Sequence, residues 1–202
     1  MKKLICIISI FIVFLFITPV NAEMQKENGI GFSLSYAKPK DLESGGGFGV
    51  NFTHYLSPNL SFEFAAENYK FDDQEEGITF GEVRVTPILG TIQFRPQTSI
   101  NTYIGVGVGY YLLSYKESSN ATDACLILFG EDCTFNVDNT FGVHISAGFD
   151  FPLNENWGLN VDLRYAIGNA DATFELPLSG ISVTDSVDID YYKLGIGLKY
   201  WF

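Results

Sequence analysis

Residues 191–202 read YYKLGIGLKYWF, and this stretch decides the fold. Tyr192, Leu194, Ile196, Leu198, Tyr200 and Phe202 alternate with Tyr191, Lys193, Gly195, Gly197, Lys199 and Trp201. A two-residue period puts each set on its own face of a β-strand, one face large and apolar, the other small or charged. The same division recurs upstream. Ile30, Phe32, Leu34 and Tyr36 oppose Gly29, Gly31, Ser33 and Ser35, and Leu60, Phe62, Phe64 and Ala66 oppose Ser61, Glu63, Ala65 and Glu67. Phe48 to Phe52, Ile104 to Leu112, Phe141 to Phe149 and Trp157 to Tyr165 repeat the pattern. The remaining strand ends cleanly, with Ile88, Ile92 and Phe94 opposite Thr91 and Gln93. Upstream, Pro87 and the offset pair Val83/Val85 predict a bulge or an edge-like interruption. No stretch from Gly29 onward sustains the period of about 3.6 residues that a helix needs. The chain reads as all-β, with eight antiparallel strands.

Alternation alone fits either a soluble calyx with its apolar face inside or a membrane barrel with that face toward lipid. Three features select the membrane barrel. Links after strands two, four and six are short, as at Ser57-Pro58-Asn59, while those after one, three, five and seven are longer, so the two kinds fall at opposite ends. The non-apolar face is rich in Gly, Ser and Ala, which suits a cramped interior. Aromatic residues (Tyr36, Tyr110, Trp157, Tyr165, Tyr192 and Tyr200 among them) gather toward strand ends, where amphipathic rings meet the interfaces. Tyr55 belongs to the same group but falls on the opposite parity. The run Gly105-Val106-Gly107-Val108-Gly109 lies inside a strand and lacks the order Gly-x-Gly-x-x-Gly, so it is read as small interior residues and not as a nucleotide loop.

The N-terminus fits export. Lys2 and Lys3 precede an apolar run from Leu4 to Ile17, and Val20-Asn21-Ala22 offers a cleavage site, so residues 1–22 are read as a signal peptide and 23–202 as the barrel domain. Removing Lys2 and Lys3 from 12 basic residues leaves 10 against 24 acidic ones, which moves the net charge from −12 to −14. That balance argues against nucleic acid. Cys6 leaves with the signal; Cys125 and Cys133 then form a close pair in an oxidising compartment, read as a disulfide. Two thiols without nearby His do not make a zinc site, and no cofactor is expected.

The ending Tyr200-Trp201-Phe202 resembles the C-terminal signature of bacterial outer-membrane barrels, which implies recognition of Phe202 by the barrel-assembly machinery. The whole mature chain resembles the OmpW family. The resemblance is carried by Thr86-Pro87-Ile88-Leu89 through Gln93-Phe94, by Asn101-Thr102-Tyr103-Ile104-Gly105-Val106-Gly107-Val108-Gly109-Tyr110, by Gly148 to Leu153 continuing through Trp157, and by Asp188-Ile189-Asp190. It implies residence in the outer membrane of a Gram-negative-type bacterium, among its lipids and lipopolysaccharide. It also implies a narrow, partly hydrophobic channel for small apolar solutes, in a family associated with stress responses and with use as a bacteriocin receptor. The Cys125/Cys133 loop and the inward charges depart from that pattern.

Parity turns Glu63, Glu67, His144, Asp150, Asp162, Arg164, Lys193 and Lys199 inward. Mixed charges in so narrow a space are expected to neutralise one another, since an unpaired buried charge is costly. Catalysis is not expected, because neither His54 nor His144 can be matched with a nucleophile on the long-loop side. Leu126, Ile127, Leu128 and Phe129, inside the stapled loop, are candidates either for contact with a partner or for folding back over the barrel mouth. The sequence thus supports a small solute channel first and a loop-mediated receptor or adhesin with a plugged lumen second.

Overall fold

The alternation resolves into a closed ring of strands. The computed structural model describes residues 27–40, 42–75, 78–96 and 101–202; the expected signal peptide lies outside the described residues. The elements are β1 (Asn28–Pro39), β2 (Gly45–Ser57), β3 (Leu60–Glu75), β4 (Ile78–Phe94), β5 (Thr102–Glu117), helix α1 (Ser119–Phe129), β6 (Thr134–Val137), β7 (Thr140–Pro152), β8 (Trp157–Leu176), β9 (Ile181–Asp188) and β10 (Tyr191–Trp201). Eight of the strands pair antiparallel in the order β1-β2-β3-β4-β5-β7-β8-β10, and β10 returns to β1. At the seam the Phe202 amide donates to the Asn28 carbonyl at 3.0 Å, and the Asn28 amide to the Phe202 carbonyl at 3.2 Å. Closure leaves no unpaired edge in the ring.

The apolar set faces outward, with Phe32, Val106 and Ile196 exposed, while Ser33, Thr91 and Asn160 of the alternate set are buried. The interior is tight. A Cβ on Gly107 would collide with the Gly90 carbonyl oxygen and lie 2.5 Å from His144 Nε2. Small residues are therefore a steric condition for closing the ring.

The strands outrun the membrane. On β8 the outward residues are apolar from Trp157 to Ile167, then become Asn169 and Asp171. That span matches the roughly 9–11 residues of a tilted crossing. On β3, β4 and β5 the outward face likewise turns polar at Asn68, Thr86 and Ser114. Beyond this line the parity inverts, with Tyr69, Phe71 and Val85 packed inside. The outer third is thus built like a water-soluble barrel.

Three expectations are refined. Pro87 does not end β4, which runs from Ile78 to Phe94 and stays paired with β5, but the pairing with β3 lapses at Thr86–Pro87. The register with β3 is the same on both sides of Pro87, and the irregularity falls at Asp73/Gln74. Val83 and Val85 looked offset because they are apolar residues pointing inward above the membrane line. Link length does not sort the two ends either: 76–77 separate β3 from β4, whereas 95–101 separate β4 from β5. Strand overhang marks the outer end instead. Finally, the longer links expected after the fifth and seventh strands carry structure: α1 and β6 occupy the first, and the second is a hairpin in which β9 pairs with the outer part of β8, whose other side takes β6.

Candidate functional site

The interior is layered. At the inner end, Arg95 follows Gln93 on the inward parity of β4, just past the strand. Its guanidinium donates to Asp150 Oδ2 at 2.8 Å, Ser61 Oγ at 2.8 Å and Gln93 Oε1 at 2.7 Å. Its cation lies 5.1 Å from the centre of the Tyr55 ring and 4.7 Å from that of Tyr103. Asn160, the register partner of Asp150 on β8, and Lys199 of β10 reach Asp150 at 2.7 and 3.5 Å.

A second layer sits above. Arg164 reaches Glu67 at 3.1 Å, Glu63 at 3.3 Å and Asp162 at 3.6 Å. Lys193 bridges Glu67 at 2.6 Å and Asp162 at 2.9 Å, and Tyr103 donates to Asp162 at 3.0 Å. His144 Nε2 lies 2.8 Å from Thr91 Oγ1. Together the two layers hold four acids (Glu63, Glu67, Asp150, Asp162) and four bases (Arg95, Arg164, Lys193, Lys199), all buried. Formal charge cancels, as a low-dielectric interior requires.

The third layer is aromatic. Tyr69, Tyr111 and Tyr191 meet with centroids 5.7 Å (Tyr69 to Tyr191) and 6.3 Å (Tyr111 to Tyr191) apart, and Phe71 stacks on Tyr69 at 6.0 Å. The Tyr69 hydroxyl donates downward to Glu67. Above this floor opens a cavity of about 820 Å³, walled by Phe71, Val83, Val85 and Leu113 from the barrel and by Phe129, Phe135 and Phe174 from the outer elements.

The outer elements are held as one unit. Cys125 and Cys133 form a disulfide with Cα atoms 5.9 Å apart, packed on Leu176 and Phe174. Glu131 accepts hydrogen bonds from the Leu178 amide at 2.7 Å, from the Ser179 amide at 3.3 Å and from the Ser179 hydroxyl. These bonds tie α1 to the tip of the β8–β9 hairpin and hold the Glu131 carboxyl below its ordinary value, the Ser179 hydroxyl being the largest cause.

The eight inward residues named from parity therefore lie together in the two charged layers. Arg95 is not among them, because the alternation is followed only to Phe94; its signal is inward parity continued two residues past Gln93. Tyr69, Tyr111 and Tyr191 were not singled out, although Tyr111 and Tyr191 stand on the glycine face. All four loop candidates are exposed, Ile127 at 83% and Leu128 at 74%; Leu128 and Phe129 also contribute to the cavity rim.

The model of the OmpW family matches residues 11–202. An uncharacterized outer-membrane protein of Sinorhizobium fredii, y4mB, is 30% identical over 185 residues, which cover 87% of this chain and 72% of that one. Outer membrane protein W of Vibrio cholerae is 24% identical over 162 residues, covering 75% of this chain and 72% of its own length. Among solved structures, the outer membrane protein OprG from Pseudomonas aeruginosa superposes with a TM-score of 0.73 at 19% identity, over 88% of this chain and 96% of that one.

Proposed function

Because this chain belongs to the OmpW family and is an outer-membrane barrel, we propose that it admits small apolar solutes through its outer cavity and releases them sideways into the membrane. The observation that carries this reading is the pairing of an outward-opening apolar cavity of about 820 Å³ with a charged, self-neutralised plug beneath it. An apolar solute gains free energy by leaving water for the cavity, at about 25 cal/mol per Å² of surface covered. It would lose that gain among the ion pairs below.

We place the exit just under the floor, where among the described residues only the side-chain bond from Asn68 Nδ2 to Thr86 Oγ1, at 2.8 Å, joins β3 and β4 between their paired stretches. Between β3 and β4, paired residues run from Leu60 to Ala66 and resume at Tyr69, so the ladder lapses at Glu67–Asn68 opposite Thr86–Pro87. Proline has no N–H to give. In this reading outer-membrane lipids and lipopolysaccharide surround the apolar belt, and the assembly machinery reads Phe202.

Uptake of N-phenyl-1-naphthylamine, an apolar fluorophore that brightens in dry surroundings, tests the proposal in cells carrying the protein. Val85→Asp or Phe129→Asp should abolish the added uptake, while Ile127→Ser should leave it intact. Equal uptake by the cavity variants and the wild type would refute the reading. A second reading, contact with a partner through the outer loops, is favoured by the tips: Ile127 and Leu178 are 83% and 86% exposed. Cell or ligand binding that falls with serine at Ile127 and Leu178 would support it, and binding unchanged by serine at Leu126, Leu128 and Phe129 would remove it.

A further inference from the structure

The cavity lining also sets the charge its occupant can carry. Asp73 and Asp188 contribute to it, and among the described residues no Lys or Arg does. Asp188 is already matched by Lys40 at 2.6 Å. Asp73 is in a different state, because its Oδ2 accepts from the Tyr115 hydroxyl at 3.1 Å. The other outer ion pairs join Lys70 and Arg84 to Glu82, and among the described residues no ion pair includes Asp73. The following segment, residues 74–80, reads QEEGITF and contains no basic residue.

The surroundings of this acid are aromatic. Tyr115, whose hydroxyl holds Asp73, packs on Phe135 at 5.6 Å between ring centres; Phe135 packs on Phe174 at 5.0 Å, and Phe174 on Phe129 at 6.1 Å. All four rings line the cavity. A carboxylate in a cavity that several aromatic rings line is complementary to an organic cation and repels an anion. The field around the mouth has the same sign: residues 38–40, 42–43, 70–73, 81–84, 116–138 and 171–190 carry five Lys or Arg against fourteen Asp or Glu. Such an excess concentrates cations at the entrance.

We infer that the cavity is a seat for apolar cations, with an amine or quaternary ammonium group beside Asp73 and its hydrocarbon part among Tyr115, Phe135, Phe174 and Phe129. This rests on the cavity being a solute site at all, and the experiment separates the two claims. The full chain, refolded in lipid nanodiscs, is loaded with N-phenyl-1-naphthylamine and titrated at low salt with octyltrimethylammonium, octanol and octanoate, which share a tail and differ in charge.

Octyltrimethylammonium should displace the fluorophore at roughly tenfold lower concentration than octanol, with octanoate the weakest. Added salt should weaken the cation and leave octanol unchanged. Asp73→Asn should bring the cation to the level of octanol without altering octanol itself, whereas Asp188→Asn should keep the preference. A preference that survives Asp73→Asn, or octanoate binding as well as the cation, overturns the inference while leaving the cavity a solute site. Failure of all three ligands to displace the fluorophore overturns the cavity reading and this inference with it.

Discussion

Replacing Arg164 with Met should cost about 3–5 kcal/mol of barrel stability, because it removes one partner of a buried ion cluster and strands the others. The side chain is 1% exposed and lies within 3.6 Å of Glu67, Glu63 and Asp162. Lys193 still reaches Glu67 and Asp162, and Lys199 lies 4.0 Å from Glu63, so the plug keeps three bases against four acids. One net negative charge is then left in a space closed to bulk water. The assay is urea unfolding of the refolded protein in lipid vesicles, read by Trp fluorescence and by the mobility shift of folded barrels on gels. Adding Glu67→Gln to Arg164→Met removes the surplus charge and should recover at least about 2 kcal/mol, a coupling that a double-mutant cycle reads directly. A loss below about 1 kcal/mol for Arg164→Met would refute the reasoning. It would mean that water reaches the carboxylates and that the layer is not a dry plug.

Three further outcomes follow from the same geometry. Gly107→Val should prevent refolding, since its first carbon meets the Gly90 backbone and overpacking against backbone costs more than about 3 kcal/mol; Gly46→Ala, with nothing within 4 Å of the new methyl, should refold like the wild type. Cys125→Ser with Cys133→Ser should leave the barrel's unfolding midpoint unchanged while speeding proteolysis near residues 126–132, because closing that short loop is worth about 2–3 kcal/mol to the outer unit alone. The Glu131 carboxyl is lowered in the folded protein, so its contact with the hairpin is present above the ordinary value of 4.5 and is lost as pH falls through the lowered one. The amide resonances of Leu178 and Ser179 should accordingly titrate together with a midpoint below 4.5, and Glu131→Gln should abolish the titration; a midpoint at or above 4.5 contradicts the assignment.

Much of this architecture can be read from period two alone. Alternation assigns sides, so Glu63, Arg164 and Lys193 could be turned inward without any knowledge of their partners. What parity lacks is depth. It cannot say that Tyr69, Phe71, Val83 and Val85 belong to an outer third where apolar residues turn inward and polar ones outward, so Val83 and Val85 looked like a fault in the strand. The loop elements were hidden for another reason. In α1 the apolar residues are consecutive, Cys125 through Phe129, and show no helical period; three of them, Cys125, Leu128 and Phe129, face a cavity built by distant strands. The cavity depends on contacts between Phe129 and Phe174 and between Tyr115 and Phe135, pairs that no local pattern links.

The central claim is that the barrel is closed to ions by its paired interior and works through its outer cavity. Planar-bilayer recording of the purified, refolded wild type, with Lys199→Glu alongside, tests it most directly, since Lys199 is fully buried between Asp150 at 3.5 Å and Glu63 at 4.0 Å. A sealed interior predicts no discrete currents from demonstrably folded wild-type protein. Discrete wild-type currents whose ion selectivity shifts in Lys199→Glu would contradict it and establish a continuous aqueous path through the charged layers.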